Sequence, residues 1–403
     1  MTKCCVYGLG YIGLPTSILL AKNGYKIHGV EIDKSIIELT NKGLTNIVEP
    51  NIETSLKEVV KNGNLVASSK PEKAEIFIIA VPTPFRNQNN NNIPMPDISY
   101  VIEAAKSIAK IVKKNDLIIL ESTSPIGTTE ELVKIIENNS DLDRDEFYVA
   151  YCPERVIPGN ILYELINNDR VVGGCSLESS EKAQKFYKSF CKGEVRITNS
   201  ATAELVKLTE NAYRDVNIAF SNEISLICDQ KNIDPYELIN LANKHPRVNI
   251  LKPGCGVGGH CIAVDPWFIA SASPELSKIV QLAREVNNHK TKWVLEKIKK
   301  TIFNYKEKRH KEPIIGCFGL TYKPNVDDIR ESPALKITKE LIKNNFKLLI
   351  NEPNLKNVDF AALYSIEYLL ENSDIIVILV GHEKYKSINL EKHLVLDFCG
   401  LNY

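Results

Sequence analysis

The sequence predicts an α/β protein with an N-terminal doubly wound sheet, a central helical domain around one long helix, and a smaller C-terminal α/β domain. Short apolar runs, typical of parallel strands buried on both faces, alternate with helical patterns at both ends of the chain. Residues 202–231 contain neither Pro nor Gly and keep apolar side chains at helical spacing, which predicts one long helix. A length of 403 residues is typical of two or three domains. We predict domains at 1–198, 199–304 and 305–403.

The N-terminal domain follows a β-α-β rhythm. Its predicted strands are 4–8, 26–31, 76–81, 117–121, 147–151 and 170–174, and its predicted helices are 15–23, 35–41, 98–112 and 129–138. A polar tract at 86–92 interrupts the pattern and should form a mobile loop. Further along we expect helices at 235–243, 277–302 and 333–344, strands at 314–320, 347–351, 375–380 and 394–398, and a basic linker at 305–312.

Composition excludes several classes of protein. Lys plus Arg equals Asp plus Glu at 50 each, whereas a nucleic-acid-binding protein usually carries a basic excess. No apolar run approaches the roughly 18 residues that span a bilayer, and the N-terminus shows no signal-peptide pattern. None of the ten cysteines forms a C-x-x-C pair, which argues against a zinc site, and most should be buried and reduced. We therefore expect a cytoplasmic protein without nucleic-acid, membrane or metal partners.

A dinucleotide fingerprint follows the first predicted strand. Residues 8–13 read G-L-G-Y-I-G and lead directly into a helix, whose N-terminus suits a pyrophosphate. Glu31 ends the second strand, 18 residues beyond Gly13, near the spacing expected for the acid that binds the ribose hydroxyls. A carboxylate there repels a 2′-phosphate, so the pattern favours NAD over NADP. The candidate cofactor contacts are Gly8, Gly10, Tyr11, Ile12, Gly13, Glu31 and Asp33.

Two hydroxyl-bearing loops fall at the carboxyl ends of strands, where ligands bind in open α/β sheets. They read V-P-T-P (81–84) and E-S-T-S-P-I-G-T-T (121–129). Either alone is typical of turn chemistry and helix capping. Their shared edge of the sheet makes Thr83 and Thr123 candidate cofactor contacts.

Cys261 differs from the other cysteines in its surroundings. A Gly-rich stretch precedes it, His260 adjoins it and Asp265 follows, so that substrate and backbone amides could approach closely. The alternative is a buried cysteine beside a flexible loop.

The long helix carries Lys207, Asn211 and Arg214 at spacings of four and three, hence on one face. Such residues usually face water, but Asn is a mediocre helix former and has no reason to stand mid-helix. A Lys and an Asn that project toward the Cys261 loop would stabilise an oxyanion.

Together these motifs resemble the nucleotide-sugar 6-dehydrogenases, the UDP-glucose/GDP-mannose dehydrogenase family. The resemblance covers nearly the whole chain and also rests on Y-C-P-E-R-V-I-P-G (151–159), T-A-E-L-V-K-L-T-E-N-A-Y-R-D (202–215), H-P-R-V-N-I-L-K-P-G-C-G-V-G-G-H-C-I-A-V-D-P-W-F (245–268) and G-L-T-Y-K-P-N-V-D-D-I-R-E-S-P-A (319–334). The variants C-P-E-R-V-I-P-G, N-D-R-V-V-G-G and H-P-R-V-N-I are closest to the branch that acts on UDP-N-acetyl-D-mannosamine. One departure is Glu31, where many relatives carry Asp.

The resemblance implies a role for each candidate residue. Cys261 matches the nucleophile, Lys207 the catalytic lysine, Asn211 its oxyanion partner and Asp265 a carboxylate near the reacting centre. Thr123 and Glu154 match polar groups that handle water or the substrate alcohol. The positions that match UDP-sugar contacts are Arg155, Val156, Lys207, Asn211, Arg214, His245, Arg247, Gly258, Gly259, Tyr322 and Lys323. Arg330 matches a residue at the cofactor or phosphate end, and Arg247 is a candidate to serve the neighbouring subunit of a homodimer formed through the long helix.

The implied reaction oxidises C6 of UDP-N-acetyl-D-mannosamine to the carboxylate with two NAD and one water, through a thiohemiacetal and a thioester on Cys261. Alternatives are the same reaction on UDP-glucose or UDP-N-acetyl-glucosamine, a two-electron 3-hydroxyacid dehydrogenase, and a non-catalytic nucleotide-binding regulator. The joint presence of Cys261, Lys207, Asn211 and Asp265 argues against a regulator, which has no use for a nucleophile.

Overall fold

The computed structural model describes residues 1–47, 49–86, 93–157, 159–259 and 261–401. The chain forms two compact units, Met1–Thr209 and Glu210–Tyr403. Most of the tract expected to form a mobile loop, residues 87–92, lies outside the described residues. Within the described ranges, no helix combines the length and the apolar character that a bilayer-spanning segment needs.

An eight-stranded sheet forms the centre of the first unit. Its strands β1–β4 are Lys3–Tyr7, Lys26–Val30, Leu65–Ser68 and Ile76–Ile79, and β7–β10 are Leu117–Leu120, Tyr148–Tyr151, Arg170–Gly174 and Val195–Asn199. A separate ribbon pairs β5, Phe85–Arg86, with β6, Met95–Pro96. Helices α1–α7 are Gly13–Lys22, Lys34–Asn41, Ile52–Lys61, Ser99–Ala109, Thr128–Asn139, Ile161–Asn167 and Leu177–Lys188. The sequence predicted these elements except β3, β5, β6, β10, α3, α6 and α7.

The strand order is β10-β9-β8-β7-β4-β1-β2-β3, with β1, β2, β3, β4, β7 and β8 parallel. The expectation of a parallel strand at 170–174 is wrong, because β9 pairs antiparallel with β8, and β10 then follows β9 in parallel. An antiparallel edge on a mostly parallel sheet is common. The chain builds outward from β1 to β2 on one side and to β4 on the other. The gap between β1 and β4 is therefore the switch point at which such sheets bind ligands.

Both faces of this sheet are covered, as the apolar strands predict. Cys4 and Val6 point into one core cluster, and Cys5 and Tyr7 point into another, because successive side chains of a strand face opposite ways. Cys4 and Cys5 are both fully buried, in agreement with their interpretation as small apolar residues. Burial raises the pKa of the Cys5 thiol to about 12.

The second unit combines long helices with a small parallel sheet. Helices α8–α13 are Ser200–Lys231, which begins in the first unit, Pro235–Ala242, Asp265–Ala272, Lys278–Arg309, Pro333–Lys343 and Ile366–Asn372. Strands β11–β14 are Ile314–Phe318, Lys347–Asn351, Ile375–Ile378 and Leu394–Asp397, in the order β12-β11-β13-β14. The long helix is confirmed. The linker predicted at 305–312 is wrong, because α11 continues to Arg309 through Lys, Glu and Arg residues that favour helix.

A buried polar seam joins α8 to α11. The guanidinium of Arg284 lies 2.7 Å from an Asp215 carboxylate oxygen, and both side chains are almost inaccessible to solvent. The Asn287 amide donates to the same oxygen at 2.8 Å, while its own oxygen accepts from Asn222 at 2.8 Å. Asn222 in turn accepts from the Gly254 backbone amide at 3.0 Å. This α8–α11 seam, Asp215, Asn222, Arg284 and Asn287, therefore fixes the start of the Gly-rich loop.

Replacement of Asp215 by Ala should destabilise the second unit by about 3–5 kcal/mol, because it leaves Arg284 buried without its counter-charge. The matched control is Asp229→Ala. Asp229 pairs with Lys297 between the same two helices, but both side chains are about a third exposed. Its loss should cost about 1 kcal/mol or less. Urea denaturation of both variants measures the difference, and equal losses would contradict the role given to the seam.

Candidate active site

The turn after β1 has the shape that the fingerprint predicts. Gly8 has φ +88°, and a Cβ there would lie 2.6 Å from the Ala80 carbonyl oxygen. A Cβ on Gly13, where α1 begins, would lie 1.9 Å from the Gly8 carbonyl oxygen. A Cβ on Gly10 would meet nothing within 4 Å, so the backbone is open to a ligand at this point. Ile12 precedes the helix, and Tyr11 is 38% exposed beside it.

Glu31 and Asp33 have different structural roles. One Glu31 carboxylate oxygen accepts from the Leu9 amide of the Gly-rich turn at 2.9 Å, and the other accepts from the Ile32 amide at 2.8 Å. Asp33 caps α2 by accepting from the Ser35 amide at 2.8 Å, and hydrogen bonds from Ser35 lower the pKa of its carboxyl. Glu31 therefore lies beside the turn, where a ribose-binding acid is expected. Asp33 instead has a structural role as the N-cap of α2.

The two hydroxyl-bearing loops meet at the carboxyl edge of this sheet. The Ser122 hydroxyl donates to the Val81 carbonyl oxygen at 2.7 Å and so joins one loop to the other. Thr83 is buried in the first loop, and Thr123 is half-buried in the second. Glu204 of α8 accepts from the amides of Gly127 and Thr129, at 2.6 and 2.8 Å, and ties the second loop to the long helix.

The segment after β8 carries Glu154 and its neighbours. The Glu154 carboxylate lies 3.1 Å from the Arg170 guanidinium, and the two side chains are only 7% and 5% exposed. The Lys207 ammonium donates to the Glu154 carbonyl oxygen at 2.9 Å. Arg155 donates from its guanidinium to the Asp169 carbonyl oxygen, and Val156 packs against the core. The structure thus brings Glu154 and Lys207 together, while Arg155 and Val156 also have structural contacts.

Sequence reasoning missed a buried network behind Glu154. Tyr187 donates to a Glu121 carboxylate oxygen at 2.7 Å, and Arg170 stacks over the Tyr187 ring at 4.8 Å. Burial, with a contribution from Glu154, raises the pKa of Glu121 to about 7. The sequence signal that could have indicated this network is a charged residue next to an apolar strand. Glu121 directly follows L-I-I-L, and Arg170 directly precedes V-V-G-G.

The Gly-rich loop leads to Cys261, which lies four residues before the start of α10. Cys261 is exposed, while the other nine cysteines are buried or half-buried. The Cys261 carbonyl oxygen accepts from the Asp265 amide at 2.8 Å. This bond forms one turn, which brings the candidate nucleophile close to the carboxylate residue in the chain. The Asn211 side-chain amide donates to the Asp265 carboxylate at 2.6 Å. Cys261, Asp265 and Asn211 are therefore one connected group, and His260 lies outside the described residues.

Tyr322 connects this loop with the segment after β11. A Cβ on Gly259 would lie 2.8 Å from the Tyr322 ring, so the ring packs directly on the glycine backbone. The Gly259 amide also donates to the Arg330 carbonyl oxygen at 2.9 Å, and a Cβ on Gly258 would meet the Glu331 carbonyl oxygen at 2.7 Å.

Several charges act on the Tyr322 hydroxyl. Burial, Asp328 and Cys261 raise the pKa of this phenol, while Arg330 and Arg214 lower it. The Arg330 guanidinium binds the Asp328 carboxylate in a forked pair, at 2.7–3.1 Å. The Arg330 carbonyl oxygen accepts from the Gly259 amide, so Arg330 lies beside the Gly-rich loop in this unit.

A cavity of about 410 Å³ opens beside these residues. Its walls include the segments after β11 and β13, the two strands at which the order of the small sheet reverses. It is lined by three lysines, Lys252, Lys323 and Lys386, and by the Tyr322 ring. A cleft at a switch point with several cations suits a nucleoside diphosphate.

His245 and Arg247 lie apart from this cavity lining, on an exposed loop. The Asn243 side chain closes that loop, since it accepts from the Ile250 amide at 2.7 Å and donates to its carbonyl oxygen at 3.0 Å. The Arg247 amide donates to His245 Nδ1 at 3.3 Å. Their substrate contacts stay predictions. Among the described residues, no group of three or more His, Cys, Asp or Glu could hold a metal ion.

Comparison with known proteins decides the family. Residues 2–191, 201–289 and 316–401 match the NAD binding, central and UDP binding domains of the UDP-glucose/GDP-mannose dehydrogenase family. The chain belongs to this family. It is therefore a dehydrogenase with NAD as its cofactor, and the open Gly10 backbone and the Glu31 carboxylate fit that cofactor.

Relatives within the family share almost the whole chain. A UDP-N-acetyl-D-mannosamine dehydrogenase of Campylobacter jejuni is 46% identical over 98% of this chain and 99% of its own length. An NDP-N-acetyl-D-galactosaminuronic acid dehydrogenase of Ralstonia solanacearum is 44% identical over 98% of this chain and 95% of its own. The solved structure of a UDP-D-ManNAc dehydrogenase from Pyrococcus horikoshii covers 99% of this chain and 96% of its own, with a TM-score of 0.88 and 39% identity.

Replacement of Glu31 by Gln should weaken NAD binding about 10-fold, because a charge-assisted bond to the ribose hydroxyls is lost. It should also reduce the preference for NAD over NADP, because the charge that repels a 2′-phosphate is gone. Titration of the folded variant with both cofactors measures this. The control is Asp33→Asn, which keeps a competent helix cap. If Asp33→Asn changes the preference and Glu31→Gln does not, the role belongs to Asp33.

Proposed function

We propose that this protein oxidises C6 of UDP-N-acetyl-D-mannosamine to the carboxylate, with two NAD and one water consumed. The observation that best supports this proposal is the connected group Cys261–Asp265–Asn211. A four-electron oxidation needs an exposed thiol beside hydrogen-bond donors, and this group provides both. The identity of 46% with the UDP-N-acetyl-D-mannosamine dehydrogenase of Campylobacter jejuni, over nearly both full lengths, supports the choice of sugar.

The Gly-rich turn and Glu31 would hold NAD, which would supply the hydride acceptor for each of the two oxidations. In the first, the C6 alcohol loses a hydride and a proton and becomes an aldehyde. The Cys261 sulfur then adds to the aldehyde carbon, which gives a thiohemiacetal that can lose the second hydride. Water attacks the resulting thioester, so that the carboxylate leaves and the thiol is restored.

Asn211 and Lys207 stabilise the oxyanions of these steps in our proposal. They lie one turn apart on α8. The bond from Asn211 to Asp265 uses one of the two amide protons, and the bond from Lys207 to the Glu154 carbonyl uses one of three ammonium protons. The remaining donors can serve the substrate, and each well-placed donor is worth about 3–4 kcal/mol. Thr123 and Glu154 belong with the substrate alcohol and water.

The remaining candidate residues are assigned to the UDP group, to the sugar or to the cofactor. We assign the UDP to the cavity with Lys323 and Tyr322, to the Gly258–Gly259 backbone and to Arg214, and the sugar side to Arg155, Val156, His245 and Arg247. Arg330 serves the phosphate or cofactor end. We keep the proposed domain limits at 1–198, 199–304 and 305–403, with the last boundary inside α11.

We further propose that the protein is a homodimer in the cytoplasm. Tyr213, Phe220 and Ile227 of α8 are 69%, 51% and 49% exposed and repeat every seven residues, so they form one apolar stripe. A stripe of this kind on a long helix suits a second copy of the same helix. Nine free cysteines that are buried or half-buried are consistent with a reducing compartment.

Replacement of Cys261 by Ala should reduce uronate formation below detection and leave NAD and UDP affinities within about twofold, since the thiol acts only in the covalent steps. The wild-type protein should yield two NADH per sugar, measured by absorbance. Cys175→Ala is the control, because burial raises the pKa of that thiol to about 12 and keeps it unreactive. Full uronate production by the Cys261 variant, or one NADH per sugar in the wild type, would overturn the covalent mechanism.

The protein should use UDP-N-acetyl-D-mannosamine at least about 100-fold better than UDP-glucose in kcat/KM, roughly 2.7 kcal/mol. Polar groups matched to an acetamido group are left unpaired by a sugar that lacks it. A panel with UDP-glucose, UDP-N-acetyl-glucosamine and UDP-N-acetyl-galactosamine measures this. The galacto sugar is included because of the relative from Ralstonia. A preference for any other sugar in the panel would overturn the choice of substrate.

A further inference from the structure

The segment that would hold UDP is hydrogen-bonded at both ends to two buried residues outside the binding cavity. This segment, residues 319–325, follows β11 and is called the β11 loop here. Glu352 directly follows β12, and His382 lies shortly after β13. These strands flank β11 in the sheet, so their carboxyl ends bring both side chains beneath the loop.

Glu352 holds the first half of the loop. One of its carboxylate oxygens accepts from the amides of Leu320 and Thr321, at 2.8 and 3.1 Å. The other accepts from the Asn354 amide at 3.0 Å. Although burial raises the pKa of this carboxyl, hydrogen bonds from His382 and the Leu320 amide outweigh it and hold the pKa below its ordinary value. A buried carboxylate is therefore kept charged by the groups that it holds.

His382 holds the second half. The Asn325 amide donates to its Nδ1 at 2.9 Å, and Nε2 lies 3.0 Å from the Glu352 carboxylate. Since a backbone amide can only donate, Nδ1 is the acceptor. Nε2 therefore carries the proton and donates a hydrogen bond to Glu352. The ring is fully buried. Each residue thus orients the other.

We propose that Glu352 and His382 form a two-sided anchor that positions Tyr322 and Lys323, and that substrate affinity depends on this anchor. The residues between the anchored amides reach the cavity wall, while the anchor itself is absent from the lining. The Tyr322 ring also packs on the Gly259 backbone, so the anchor also acts on a residue of the Gly-rich loop. The inference rests on the proposed function, in which this cleft binds the UDP group.

The effect on affinity follows from ordering the loop in advance. A loop that is already held in its binding conformation loses less conformational entropy when the ligand binds. Without the anchor, three backbone amides of the β11 loop lose partners, and Tyr322 and Lys323 must be ordered by the substrate itself. Glu352 and His382 are accordingly positioning residues.

Two replacements test the anchor in the full-length protein. Glu352→Gln keeps the size of the side chain, but its amide nitrogen must face one of the groups that now donate to Glu352. His382→Ala removes the acceptor of the Asn325 amide. Each should weaken UDP binding, measured by calorimetry, about 10- to 100-fold, because bonds to a buried charged group are lost. KM for the UDP-sugar should rise in parallel, while kcat and KM for NAD stay within about threefold.

Matched variants separate positioning from general loss of stability. His382→Asn can offer an amide oxygen near the place of Nδ1 and should recover part of the affinity lost in His382→Ala. His393→Ala is the control, because its ring lies in the same unit outside the cavity lining, and its Nε2 donates to the Leu370 carbonyl oxygen at 2.8 Å. It should leave UDP affinity unchanged within about twofold. Urea denaturation reports the stability of all four variants.

The wild-type protein provides a test that does not depend on the folding of any variant. Without ligand, the amides of Leu320, Thr321 and Asn325 should exchange with solvent as slowly as those of β11, as measured by hydrogen exchange. Exchange of these amides at the rate of an unrestrained loop, or UDP affinity within twofold of wild type in folded Glu352→Gln and His382→Ala, would overturn the anchor.

Lys323→Ala separates this proposal from the proposed function. If Lys323→Ala leaves UDP affinity unchanged, the cleft does not bind UDP, and the proposed function fails at this site. If Lys323→Ala weakens UDP and the Glu352 and His382 variants do not, the cleft is correct and the anchor is wrong. Loss of affinity in all three supports both.

Discussion

The buried pair of Asp215 and Arg284 is the constraint on which the reactive part of the second unit depends. Two opposite charges removed from water are tolerated when each offsets the other. Asn287 adds a hydrogen bond to Asp215 and accepts one from Asn222. The chain of bonds ends on the Gly254 amide, at the beginning of the loop that leads to Cys261. A second bond, from the Thr291 hydroxyl to the Cys255 carbonyl oxygen at 2.8 Å, holds the next residue. A Gly-rich loop, which has the most conformational freedom to lose, is thereby held by rigid helices.

Both sheets use the same principle to place polar groups. Parallel strands end at one edge, and the loops that follow them carry the chemistry. In the first unit, that edge holds the Gly-rich turn and Glu31, whose geometry fits a dinucleotide. In the second, it holds the cavity with Lys323 and the anchor of Glu352 and His382 beneath it. In the second unit, the segment that carries Lys323 is supported by the buried side chains of Glu352 and His382.

The cysteines illustrate how burial separates inert thiols from a reactive candidate. Burial raises the pKa of Cys152 and of Cys317 to about 12, so these thiols stay protonated at neutral pH. Cys261 is the exposed member of the ten, and it stands one turn before the Asp265 carboxylate that binds Asn211. A reactive thiol at Cys261 can therefore coexist with the nine other cysteines, which are buried or half-buried and contribute to packing.

The sequence by itself determined the elements whose signals are local. The long helix predicted at 202–231, the fingerprint at 8–13 and the distinct surroundings of Cys261 each follow from residues near one another in the chain, where periodicity and turn chemistry operate. The family resemblance came from the same local motifs. Only the tertiary structure decided the direction of β9, the continuation of α11 to Arg309 and the partners of buried charges. Arg170 meets Glu154, Arg284 meets Asp215, and His382 meets Glu352 across separations that no sequence period encodes. The cost of burying an unpaired charge selects such pairs, and that cost exists only once the chain has folded around them.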